Sequence, residues 1–177
     1  LRTLISVEAL QDARGDARAD PLEFPQVIRE IAEKAGEGYV DFDLPAGSRA
    51  LLFDRMRLEL ILNNLISNAL RHAPGSRIEV SARHGADLLV LEVADHGPGV
   101  SEEMLASIGE PFMRADRARR FNTGGGMGLG LYLCGRIAAR AQGRMKIGNR
   151  PGGGLRVHVE LPCTAQALQP PQPCPGS

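Results

Sequence analysis

The chain has 177 residues, a mass of 19.0 kDa, 43% hydrophobic and 24% charged residues. That is one globular domain with room for an appended element, and at this length no disulfide or metal staple is needed to bury a core. Lys+Arg and Asp+Glu both number 21. This balance argues against a basic nucleic-acid binder, and an aromatic fraction of 4% with no Trp argues against a stacking platform for single strands.

The basic residues are almost all Arg, Lys34 and Lys146 being the only lysines. Cys134, Cys163 and Cys174 have no metal-ligand spacing, and an odd count without a framework predicts a reducing compartment. No apolar run approaches transmembrane length and no signal-peptide layout opens the chain. The expectation is a soluble, cytoplasmic chain, compatible with being the cytoplasmic piece of a longer membrane protein.

Residues 1–19 carry a fading apolar stripe (Leu1, Leu4, Ile5, Leu10) and read as the end of a helix or a linker. Pro21 to Ala35 is predicted as a short amphipathic helix. Tyr39–Leu44 and Ala50–Phe53 are strand candidates around a Pro-Ala-Gly turn. Asp54 is placed to N-cap a helix whose apolar stripe runs Leu58, Ile61, Leu62, Leu65, Ala69, ending near Ala73-Pro74-Gly75. Arg77–Arg83 alternates like a half-buried strand. The run from Leu88 to Ala94 reads as a central strand buried on both faces. A short helix follows Ser101, with Glu102 and Glu103 in its first turn. Beyond an Arg-rich stretch and a glycine cluster, Leu129–Ala141 is again helical. Arg144–Asn149 and Leu155–Leu161 form a hairpin, and residues 163–177, rich in Pro and Gln, are expected to be disordered.

Three constellations carry chemistry. Asn64 and Asn68 share one face of the long helix, and an amide oxygen is a hard neutral ligand suited to Mg²⁺. Arg71, on the same face, could meet a phosphate; the plain alternative for all three is an exposed polar surface. Asp95-His96-Gly97-Pro98-Gly99 ends a buried strand in a carboxylate that needs a donor, such as the exocyclic amine of adenine, and its glycines admit a flat ring. An ordinary Asp-Gly turn would read the same. Gly124 to Gly130 leads into a helix, so exposed amides and the helix dipole together make an anion cradle, with a flexible hinge as the alternative. It is neither a P-loop, lacking Gly-Lys-Ser/Thr, nor a dinucleotide fingerprint.

Taken in this order, the three motifs resemble the ATP-binding domain of sensor histidine kinases, within the GHKL ATPase superfamily. Asn64–Asn68 is similar to the N box, Asp95–Gly99 to the G1 box and Gly126–Leu131 to the G2 box. Pro111-Phe112 with Arg114 resembles the F box, and Gly152–Pro162 the closing G3 hairpin. The resemblance implies a Bergerat α/β sandwich over residues 20–162: a mixed, mostly antiparallel sheet with helices on one face. It further implies that Asn68 holds Mg²⁺ and Asp95 binds the adenine amine. Gly97 and Gly99 would let the backbone approach the base, and Gly126, Gly128 and Gly130 would shape the phosphate end; Val100, Leu129 and Leu131 belong to the same implied ATP site. Asn64, Arg71, His72, Phe112 and Arg114 complete the implied ATP site, with 112–125 as a lid.

None of His72, His84, His96 or His158 has the context of the family's phosphoacceptor. The resemblance therefore implies transfer of the γ-phosphate to a His on a dimerisation domain of the same protein, lying outside this chain. A response regulator would follow indirectly, and a homodimer would form only in the full-length protein. Asn64 stands where the hydrolytic members of the superfamily have a Glu base, and its amide cannot take a proton, which favours phosphotransfer over hydrolysis. Leu155 replaces the usual Ser or Thr after the G3 glycines, so a polar contact near the base is expected to be lost. Two alternatives stay open: an anti-sigma-type serine kinase, and a degenerate, non-catalytic nucleotide-sensing docking module.

Overall fold

The computed structural model describes residues 20–36, 38–47, 49–85, 87–108 and 129–166. Strand β1 (Asp20–Phe24) leads into α1 (Gln26–Gly36), β2 (Val40–Asp43), β3 (Arg49–Phe53) and α2 (Arg55–His72). Next come β4 (Ile78–His84), β5 (Leu88–Asp95), α3 (Glu102–Ile108), α4 (Leu129–Arg140), β6 (Arg144–Asn149), β7 (Leu155–Pro162) and β8 (Thr164–Gln166).

The main sheet has the order β2-β4-β5-β7-β6, with only β2 and β4 parallel. Its inward residues, Val80, Leu91, Val93, Val157 and Val159 among them, are buried against α1, α2 and α4. This is the expected two-layer α/β sandwich. The long helix α2 is its spine. Asp54 caps it by accepting the Arg57 N–H at 3.2 Å, and Leu58, Ile61, Leu62, Leu65, Ile66 and Ala69 are buried at helical spacing. Each such Leu or Ile contributes about 1.5–3 kcal/mol of burial. Cys134 of α4 lies against the turn of α2 that carries Ile61, its thiol donating to that carbonyl at 3.7 Å.

Three expectations are corrected. Pro21–Phe24 is strand, not helix. Phe24 precedes Pro25, which disfavours helical backbone at the preceding residue, so α1 starts only beyond the proline and Ile28 and Arg29 N–H bond to the Pro25 carbonyl. The outer face of β5 is not covered by a second layer: Val90 and Glu92 are half-buried there, and Glu92 is paired with Arg156 at 3.2 Å across the ladder to β7. Lastly, Thr164–Gln166 is ordered as β8, antiparallel to β3, which itself pairs with β1. This second, three-stranded sheet was not anticipated. Residues 167–177 and 1–19 lie outside the described residues.

Candidate nucleotide-binding site

Where α2 and β5 end, facing the β6–β7 turn, a cleft of about 300 Å³ opens. Asn68 and His72 line it from the last turns of α2, Asp95 from the end of β5, and Pro98, Gly99 and Val100 from the loop that follows. Ser101, Met104, Leu131 and Leu155 close the remaining walls. The enclosure is chiefly apolar, with a few convergent polar groups, as small-molecule sites generally are.

Asp95 is 4% exposed and is the one buried charged residue among those described. Burying a carboxylate requires donors, and two backbone amides supply them: Gly97 N–H at 2.9 Å and Leu155 N–H at 3.1 Å, both to Oδ1. Oδ2 makes no hydrogen bond among the described residues. One carboxylate oxygen is thus fixed by the main chain and the other presents a single acceptor to the cleft. The contact expected to be lost with Leu155 is therefore made in part by its backbone, while its side chain adds to the apolar wall.

Close approach explains the glycines around the carboxylate. A Cβ on Gly154 (φ +97°) would stand 1.9 Å from the Asp95 carbonyl oxygen, and one on Gly97 would stand 2.9 Å from the Ala73 Cβ. Gly154 thus lets the β6–β7 turn touch the end of β5, and Gly97 lets the loop that follows pack against the C-terminal end of α2.

The remaining predicted residues divide. Asn68 has no hydrogen bond within the described residues, so its amide is free for a ligand; this fits one neutral oxygen ligand for Mg²⁺, with the rest left to phosphate and water. Asn64 does not line the cleft. Its amide donates to the Leu60 carbonyl at 2.7 Å, and its Oδ1 lies against Gly130, where an added Cβ would come within 2.9 Å. Arg71 is exposed and also off the cleft wall. His72 Nε2 is buried and unpartnered, and burial holds the ring below its ordinary pKa, with the positive charge of Arg71 adding to the effect and Asp95 opposing it. Leu131 is buried on the wall, and Leu129 and Gly130 open α4. Phe112, Arg114, Gly126 and Gly128, with the expected lid, lie outside the described residues.

Sequence reasoning missed the wall residues Pro98, Ser101 and Met104 and two supporting side chains, Asn149 and Arg150. Asn149 Oδ1 accepts the Val100 N–H at 2.9 Å and its Nδ2 donates to the Val100 carbonyl at 2.7 Å. Nothing in a lone Asn-Arg pair before a turn signals that geometry.

Residues 53–165 match the model of the histidine kinase-, DNA gyrase B-, and HSP90-like ATPases. The chain belongs to that family. The histidine protein kinase DivJ of Caulobacter vibrioides is 39% identical over 175 residues, 97% of this chain and 29% of that protein. The histidine kinase domain of the E. coli osmosensor EnvZ, solved by NMR, is 26% identical with a TM-score of 0.63, over 90% of this chain and 98% of that one. Full-length ShkA, crystallised in complex with AMPPNP, shares the fold at a TM-score of 0.71 and 24% identity, over 92% of this chain and 35% of that one. The chain spans less than half of the length of the curated relatives it matches, DivJ among them. No helix among the described residues is long and apolar enough to cross a membrane.

Proposed function

We propose that this chain is the ATP-binding catalytic part of a two-component sensor histidine kinase, donating the γ-phosphate of Mg·ATP to an imidazole on a dimerisation domain of the same protein. The observation that carries the reading is Asp95: a buried carboxylate with one oxygen held by two amides and the other facing a cleft that also holds the free amide of Asn68. A single acceptor suits the single 6-amino donor edge of adenine. Apolar contact from Val100, Leu131 and Leu155 would sandwich the base.

Asn68 would hold the magnesium ion, which supplies charge neutralisation on the phosphates when bound. The chain's own residues bind and orient: Asp95 sets the base, the cleft walls exclude water, and α4 brings its N-terminal dipole toward the phosphate end. The acceptor imidazole attacks phosphorus in line, the bond to the β–γ bridging oxygen breaks, and ADP leaves while the ring loses its proton to solvent. Residue 64 is an asparagine, whose amide cannot take a proton from water and is tied to the α2 backbone. Hydrolysis without an acceptor is therefore slow. In the full-length protein, a homodimer would present the acceptor, a response regulator would take the phosphoryl group onward, and the domain would lie on the cytoplasmic side of an inner-membrane sensor.

The test is transfer from γ-labelled ATP to a supplied dimerisation fragment. Label on His, abolished by Asp95→Asn and by Asn68→Asp, is the expected result. Acid-stable label on Ser would indicate the serine kinase instead, and nucleotide binding without transfer to any acceptor the docking module.

A further inference from the structure

Asn149 and Arg150 lie at the end of β6, one strand away from the base site and outside the cleft lining. Their side chains reach the two ends of the loop 95–100. Asn149 closes two hydrogen bonds, at 2.9 and 2.7 Å, on the backbone of Val100 alone, in the manner of a paired strand residue. Gly99 makes this possible, because a Cβ there would stand 2.7 Å from Asn149 Oδ1. Arg150, with a side chain 16% exposed, places Nη1 3.4 Å from the Asp95 carbonyl and 3.0 Å from His96 Nε2. Its Nη2 meets Glu79 Oε1 at 3.2 Å, and the same Glu79 oxygen is 2.8 Å from His96 Nε2. Arg150 is therefore anchored to β4 and grips the loop at its first two residues.

Residues 96–100 have no regular structure of their own, yet they follow directly on Asp95 and supply Pro98, Gly99 and Val100 to the cleft. Something outside the loop must hold its ends, since irregular backbone is otherwise free to relax. Two side chains from another element, Asn149 and Arg150, bond to its main chain. We propose that Asn149 and Arg150 are positioning residues that set base selectivity: they clasp the loop at Val100 and at Asp95-His96, so that Asp95 Oδ2 stands where only a donor edge satisfies it. This rests on Asp95 being the base-recognising group proposed above.

The test uses the full 177-residue chain, titrated calorimetrically with Mg·ATP and Mg·ITP, which differ at position 6 of the base by an amine against a carbonyl. Asn149→Ala, Arg150→Ala and the control Arg83→Ala, which breaks an exposed pair on the same sheet, are compared with wild type. The clasp predicts that wild type and the control prefer ATP, that each clasp variant loses about tenfold in ATP affinity, and that the ATP-to-ITP ratio falls toward one. A general loss of structure would weaken both nucleotides and leave the ratio unchanged. An unchanged ratio in both variants, with or without weaker binding, overturns the clasp. If wild type shows no preference, the assignment of Asp95 fails, and the clasp with it. Should Arg150→Ala lose its cooperative thermal transition, Arg150→Gln, which keeps the stem and one donor group, is read in its place.

Discussion

Replacing Asp95 by Asn exchanges one oxygen for an amide nitrogen and leaves the volume of the side chain almost unchanged. Oδ1 accepts two backbone N–H groups, at 2.9 and 3.1 Å, so the amide oxygen takes that side and the new NH₂ occupies the position that Oδ2 holds. The fold should survive, with a loss of stability of about 1 kcal/mol as two charge-assisted bonds become neutral ones. Binding is another matter. The charged acceptor for the adenine amine, worth about 1.5–3 kcal/mol, is gone, and two donors now face each other without partners, at a further cost of about 1–3 kcal/mol. A combined loss of about 3 kcal/mol or more is roughly a hundredfold or more in Kd for ATP. Inosine triphosphate, whose 6-oxo group accepts, should lose far less and should bind the variant more tightly than ATP does. Calorimetry with both nucleotides, alongside a thermal melt, reads all three quantities. Unaltered ATP affinity in a folded variant would refute the assignment of Asp95, and equal losses for both nucleotides would refute the argument from donor and acceptor.

Other perturbations follow from the same geometry. Gly154→Ala forces a left-handed residue with a side chain against the Asp95 carbonyl, so stability should fall by about 2 kcal/mol or more and ATP binding should fail with it; a variant with wild-type melting and affinity would contradict that contact. Asp54→Ala removes the cap of α2 and should cost about 1 kcal/mol in chemical denaturation. It should leave the Kd for ATP unchanged, because the cleft lies several turns further along the helix. Burial pushes the Cys134 thiol up to about 12 from its ordinary 9.0. Because the folded state holds this proton more tightly, the corresponding stability is complete below pH 9 and is lost as pH rises toward 12. Iodoacetamide at pH 8 should leave Cys134 unlabelled in the native protein, and native labelling would contradict its burial.

The parts legible in the sequence were those whose signal is local. Helix α2 carries an uninterrupted apolar stripe with a capping Asp, and Asp95 follows a run of apolar residues that could end only at a sheet terminus. What escaped is set by partners far away in the chain. Pro21–Phe24 has apolar residues that satisfy a helical template as readily as a strand, and its state is decided by Pro25 and by pairing with β3. Thr164–Gln166 has no strand signature beyond its neighbours, and the exposed edge of β3 is what recruits it. At the site, the residue types that bind by chemistry stood out, whereas those that act by holding backbone did not: Asn149 and Arg150 acquire meaning only when β6 is laid beside the loop they grip. Asn64 shows the converse, a residue conspicuous in its motif whose amide is occupied by its own helix.

The small sheet has a consequence for how this unit can be moved between hosts. Asp20 pairs with Phe53 on one side of β3, and Thr164 with Leu52 on the other. The backbone therefore enters β1 opposite Phe53 and leaves β8 opposite Ala50, two interstrand spacings across and three residues along, about 14 Å apart. Helix α2 starts directly beyond β3 and carries the cleft toward its opposite end, about 20 Å along at Asn68. Cut just outside β1 and β8, the segment is a cassette whose ends a few linker residues can join to a surface loop of an unrelated carrier, with its working face held away from the graft.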